Sequence, residues 1–149
     1  NQILNDISPL LMKIFLNILA SVLLVFNGAG ALFGGWNLMS HPDGSSLQLS
    51  MDWLKHTPFP DYLIPGIILF IANGLFSVFV FIAILLKLTE YFWLIMIQGA
   101  ILTGWIVIQI ALIRTIDFLH VLFGSIGIVL FILGWLLFQY DKPSATTHS

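Results

Sequence analysis

Apolar residues run almost unbroken through four stretches of the chain: Ile14 to Met39, Leu63 to Leu86, Tyr91 to Ile113 and Phe118 to Phe138. None has a Lys, Arg, Asp or Glu in its interior. A hydrocarbon layer about 30 Å thick takes roughly 20 apolar residues of helix at about 1.5 Å rise per residue. Every stretch reaches that length, so the pattern predicts four transmembrane helices. Two of the breaks, Lys87 to Glu90 and Arg114 to Asp117, are so short that the helices they join must be antiparallel neighbours. The expected fold is an all-α integral membrane protein: one membrane domain over residues 1–149, an antiparallel four-helix bundle with a long outer loop at 40–62.

Charge collects at the breaks. Each short hairpin carries an opposite-charge pair three residues apart, and Thr89 and Asp117 are the expected N-caps of the helices that follow. The long connection opens with His41-Pro42-Asp43-Gly44-Ser45-Ser46, a turn-forming string. Leu47, Leu49, Met51 and Trp53 then alternate as in a strand, but a lone strand would lack a partner. Ser50, Met51, Leu54 and Lys55-His56 fit a short interfacial helix with Trp53 and Leu54 toward the headgroups. Asp61 is the expected cap of the second helix, and Pro65 falls in its first turn, where proline is tolerated.

Met12-Lys13, an apolar run and Ala29-Gly30-Ala31 have the outline of a signal peptide, but apolar character continues to Met39, beyond the length of such a region. Met12 resembles an initiator, which leaves Asn1 to Leu11 as a short amphipathic extension or an upstream start. Lys13, Lys87 and Lys142 fall on one side and Lys55 and Arg114 on the other, a bias toward cytoplasmic termini.

Composition narrows the function classes. The chain is 59% hydrophobic and 8% charged, with mean hydropathy +1.03, where a soluble domain is about a quarter charged. Absence of cysteine excludes disulfides, thiolate metal ligation and thiol redox chemistry. A formal charge of -2 offers nothing to nucleic acid, and no polybasic cluster flanks a helix to recruit anionic lipid.

Membrane helices associate through small residues and interhelical hydrogen bonds, because lipid tails are as apolar as leucine. Asn27, Gly30 and Gly34 share a face of the first helix, and Gly66, Asn73 and Ser77 a face of the second. Gln98, Leu102, Trp105 and Gln109 align on the third, and His120, Gly124, Gly127, Phe131 and Gly134 on the fourth. These faces are expected to be packing seams. Asn27 and Asn73 lie at matching depth, roughly 18 Å from the outer helix ends by helical rise, and are expected to hydrogen-bond through their amides. Gly30 to Trp36 also echoes Gly99 to Trp105, by duplication of a hairpin or by chance.

Asn27-Gly28, Gly30-Ala31, Gly34-Gly35, Pro42-Asp43-Gly44, Thr57-Pro58-Phe59, Ile64-Pro65-Gly66, Asn73-Gly74 and Trp105 with Gln109 follow one another in a recognisable order. In this the chain resembles small uncharacterised four-helix bacterial membrane proteins, loosely DoxX-like, over Met12 to about Leu137. The resemblance implies four spans, a turn-rich outer loop and a bacterial cytoplasmic membrane. That group has no firmly established activity to transfer.

No catalytic constellation is visible: there is no Gly-x-Ser-x-Gly elbow and no phosphate-cradling glycine loop with a lysine. His41, His56, Asp43, Asp52 and Asp61 share the outer loop, but their spacing is no recognised ligand pattern, so neither a metal nor a cofactor is expected. A conducting path normally carries ionisable groups within the spans, and the span centres have none. The first expectation is a non-enzymatic accessory subunit or interaction partner, among membrane lipids and with a protein partner or a second copy. The alternative is a binder or carrier of a small amphipathic or lipidic ligand, a quinone-like one included. Trp36, Trp53, Trp105, Gln109 and His120 would surround it in a pocket open to the outer leaflet, with residues His41 to Asp61 folded across the mouth.

Overall fold

The computed structural model describes residues 1–142. Its four helices long and apolar enough to cross a membrane are α1 (Gln2–Ser40), α2 (Leu63–Leu85), α3 (Tyr91–Ile113) and α4 (Phe118–Asp141). No strand occurs among the described residues. The connection from α1 to α2 holds two short 3-10 turns, Ser45–Leu47 and Met51–Leu54. The second falls where a short helix is expected, but Leu54 is buried against Leu38 and Tyr62 and not turned outward toward headgroups; the Ser50 hydroxyl caps the turn by accepting from the Asp52 amide.

α1 begins far earlier than the apolar run suggests. Lys13 Nζ lies 3.5 Å from Asp141 Oδ1 at the end of α4, and the Tyr91 hydroxyl, where α3 starts, donates to Asn17 Oδ1 at 2.8 Å. Residues before Lys13 therefore overhang the other helix ends, by roughly 17 Å at helical rise. Leu4, Ile7 and Leu11 repeat at three and four along this overhang and stand 63%, 42% and 59% exposed. The amphipathic extension is thus a continuation of the α1 helix.

At the α4 start the capping expectation holds: Asp117 Oδ1 accepts from the His120 amide at 3.1 Å, and the Asp117 amide donates back to His120 Nδ1 at 3.2 Å. Thr89 does not cap α3. Lys87 and Glu90 both take left-handed backbone conformations, with φ of 51° and 60°. That turn is tight enough to put Glu90 at the N-cap position, with no side-chain bond to the helix.

Two seams of backbone contact organise the helices. Between α1 and α2, a Cβ on Gly35 would stand 2.9 Å from the Gly66 carbonyl oxygen and 2.7 Å from Phe70 Cβ, and one on Gly28 3.3 Å from Ser77 Cβ. Between α3 and α4, a Cβ on Gly99 would lie 2.6 Å from the Gly127 carbonyl oxygen, and one on Gly134 2.8 Å from the Met96 amide nitrogen. Neither seam leaves room for a side chain. Packing between the two pairs is sparser; it includes the stack of Phe26 on Phe123, with ring centroids 5.7 Å apart.

The α1 seam is a correction. A Cβ on Gly30 would meet only the Phe123 ring at 3.5 Å, and one on Gly34 only Leu69 Cδ2 at 3.4 Å, both ordinary separations. Gly28, Ala31, Gly35 and Leu38 are the buried row instead. The expected stripe is rotated by about one residue from it, because Asn27 sits between the two rows and fits either. Gly124 likewise meets only Ile106 Cγ2 at 3.5 Å, whereas Gly127 is closed in by the Thr103 amide nitrogen at 2.9 Å. The echo dissolves too: Gly99 is closed in where Gly30 is open, and Gly104 has nothing within 4 Å where Gly35 is closed in.

Midway along the helices, Asn27, Asn73, Ser77 and Gln98 are all at most 1% exposed. The two asparagine amides do not meet as expected. Asn27 Nδ2 donates to Ser77 Oγ at 2.9 Å and to the Asn73 main-chain carbonyl at 3.4 Å. That carbonyl lies in a π-helical segment of α2, Leu69–Leu75, where the regular ladder is interrupted. The Asn73 side chain turns instead to α3 and accepts from Gln98 Nε2 at 3.2 Å. Asn73 Nδ2 and Gln98 Oε1 remain buried without a partner among the described residues.

The seams and the midplane amides can each be tested by substitution. Gly127→Leu should destabilise the protein by roughly 1–3 kcal/mol through overpacking, whereas Gly104→Ala should leave it unchanged or stabilise it by up to about 1 kcal/mol; thermal unfolding in detergent compares them, and equal midpoints would refute the seam. Gln98→Leu should cost about 1–2 kcal/mol by stripping Asn73 of its partner. Adding Asn73→Leu should restore most of that loss, and a double variant weaker than the single would count against the orphaned amides.

Candidate functional site

The connection from α1 to α2 folds back onto the helix ends through a small core of its own. Leu38, Leu54 and Tyr62 are buried together, with Leu47, Leu49 and Leu69 packed around them. Tyr62 is the pin: its amide donates to the Pro42 carbonyl at 2.8 Å, and its hydroxyl to the Ser50 carbonyl at 2.6 Å. Burial pushes the Tyr62 phenol above its ordinary pKa. Gly44 completes the fold-back with a φ of +79°. A Cβ there would lie 2.9 Å from both the Leu49 carbonyl oxygen and the Tyr62 ring, so the turn needs glycine on steric and conformational grounds. Asp43 accepts from the Ser45 hydroxyl and amide at 2.7 and 3.0 Å, which holds its carboxyl below the usual pKa.

Beneath this loop lies a cavity of about 570 Å³. Asn27 and Leu38 of α1 both border it, as do Leu102 and Ile113 of α3. Either pair spans eleven residues, so the cavity runs roughly 16 Å along the helices by helical rise. Its walls are mostly aliphatic and aromatic. Trp53 and Phe59 from the loop, Trp105 and Gln109 from α3, and His120 and Phe123 from α4 border the same space. Ile108 and Leu119, 53% and 58% exposed, are among its lining residues.

Trp36 is not part of it. Its side chain is 63% exposed and faces away from the other helices, because it sits well over a quarter turn from both Ala31 and Leu38. The other four residues expected around a ligand, Trp53, Trp105, Gln109 and His120, border the one cavity.

Polar chemistry in the cavity is sparse. Because the Asp117 amide donates to His120 Nδ1, that nitrogen acts as an acceptor, which assigns the ring proton to Nε2. Gln109 makes no side-chain hydrogen bond among the described residues. Among those residues Asp117 supplies the one carboxylate of the lining, and neither Lys nor Arg reaches it. No three of the described His, Asp and Glu residues come close enough to hold a metal ion, so the loop histidines and aspartates form no set.

Tyr62, Gly44 and Phe123 carry the site and were not singled out from the sequence. Gly44 had a signal, following Pro42-Asp43 in a turn string. Tyr62 had none, since its two carbonyl partners lie 20 and 12 positions earlier in the chain. Compared with protein-family models, curated proteins and solved structures, the chain matches none.

Loss of the pinning hydroxyl gives the site's first test. Tyr62→Phe removes one hydrogen bond, worth about 0.5–1.5 kcal/mol, and should speed amide exchange or proteolysis across His41 to Asp61 severalfold while the helices stay protected. Unchanged exchange in the loop would mean that Tyr62 does not hold it.

Proposed function

We propose that the protein is a membrane-embedded binder or carrier of a small amphipathic molecule, held in the cavity under the loop. In this reading the four helices span the bilayer as an antiparallel bundle, and the cavity opens to the leaflet on the loop side. The observation that carries it is the cavity itself: about 570 Å³, within the range of roughly 300–1,000 Å³ common for ligand sites, with apolar walls and a few polar groups. The exposed apolar lining residues Ile108 and Leu119 suit entry from lipid. The Lys13, Lys87 and Lys142 bias favours cytoplasmic termini, and the DoxX-like resemblance favours a bacterial cytoplasmic membrane.

A second reading, an accessory subunit or a self-associating protein, is favoured by the bare apolar face of the α1 overhang at Leu4, Ile7 and Leu11. The two readings separate by experiment. Native mass spectrometry on gently solubilised protein should find one chain with a bound small molecule, and Phe123→Trp, which narrows the cavity, should lower the share of chains that carry it. A bare chain that copurifies at fixed stoichiometry with another protein, and no longer does so once residues 1–12 are removed, would favour the second reading instead.

A further inference from the structure

We propose that the cavity takes an uncharged amphiphile whose polar end is a hydrogen-bond acceptor such as an ester or ketone carbonyl, received by the His120 Nε2–H and the Gln109 amide. This rests on the reading of the cavity as a ligand site and names the chemistry of what enters it.

The unspent polar groups around the cavity are mainly donors. The His120 ring is fixed by the reciprocal Asp117 bonds, with Nδ1 occupied as an acceptor, so Nε2 presents a hydrogen and has no partner among the described residues. Trp53 and Trp105 border the same space, and neither indole N–H is bonded to a described residue. An indole nitrogen only donates. Gln109 supplies a further donor and an acceptor, and the Thr115 hydroxyl and Asn27 Oδ1 add acceptors that can stay with Gln109 or with water. A ligand with a carbonyl oxygen answers this set, while one offering only donors would leave the indoles and the imidazole unpaired.

Charge narrows the class further. Among the described residues no Lys or Arg borders the cavity, and Asp117 places a carboxylate at its edge. Taking a phosphate or carboxylate out of water without a cationic partner costs several kcal/mol, and Asp117 would add repulsion. A cationic head could pair only with the Asp117 carboxylate, which already accepts from the His120 amide, and would leave the indoles and the imidazole unpaired. The head that remains is neutral and accepting. The cavity's length, roughly 16 Å at helical rise, suits a single extended chain or a narrow ring system below it.

The test uses the whole protein in phosphatidylcholine nanodiscs and reads tryptophan-monitored thermal unfolding against the mole fraction of three probes. These are a medium-chain monoacylglycerol, the same molecule carrying a phosphate, and the 1-alkene of matching chain length. The monoacylglycerol should stabilise the protein, and the phosphate ester should need at least about tenfold more. Gln109→Leu should weaken the monoacylglycerol about three- to tenfold and leave the alkene unchanged; His120→Phe should do the same if the helix start survives loss of its cap. Trp36→Phe, outside the cavity, should change nothing. A phosphate ester that binds as well as the monoacylglycerol, or an alkene that does, overturns the assignment of the head while leaving a ligand cavity in place. If none of the three shifts unfolding, the cavity reading falls with it.

Discussion

Backbone contact at glycine is the constraint on which the rest of this molecule depends. Gly35 against Gly66, and Gly99 against Gly127, bring α1 to α2 and α3 to α4 so close that a single methyl group would not fit. Without a hydrophobic driving force between helices in lipid, such close approach is what membrane helices have to hold them together. The glycines are spent within the pairs. Between the pairs, bulky side chains meet instead, Phe26 on Phe123 among them, and packing there is looser. Towards the loop end this looseness widens into the cavity, so the cavity is a consequence of where the glycines are placed.

The loop roofs one end of that gap. A connection of this length has to fold onto something or stay solvated, and its leucines and Tyr62 supply a core too small to stand alone. Seated on Leu38 and Leu69, that core lowers Trp53 and Phe59 over the helix ends. His120 serves both the fold and the site: one ring nitrogen closes the cap of α4, and the other is left for whatever occupies the cavity. The midplane amides are a different kind of feature. Asn27, Ser77, Asn73 and Gln98 tie α1, α2 and α3 together, at the cost of two polar atoms without a partner among the described residues.

Much of this was legible in the order of residues. The four apolar runs predicted the four long helices, since length and hydropathy alone decide whether a helix can cross a bilayer. Asp117 read as a cap because the next element is strongly helical. Thr89 misled because left-handed backbone at Lys87 and Glu90 is invisible in the residue types. The α1 seam was off by a residue because four glycines crowd Gly28 to Gly35, and periodicity cannot choose between adjacent rows. Asn27 and Asn73 were rightly judged to share a depth, but which atom each side chain would reach turned on the π segment of α2. Loop length and helix depth suffice to bring Trp53, Trp105, Gln109 and His120 to the border of one space, whereas Trp36 lies outside it because depth says nothing about facing.

The measurement closest to the central claim, a loop roofing a cavity between loosely docked helix pairs, is crosslinking on the cysteine-free chain reconstituted in a bilayer. Trp53→Cys paired with Gln109→Cys should join through a short bis-maleimide, since both positions border the cavity, and Trp36→Cys paired with Gln109→Cys should not. Efficient labelling of all three positions by a water-soluble maleimide, with no crosslink in either pair, would show that the loop stands away from the helix ends and would contradict the account.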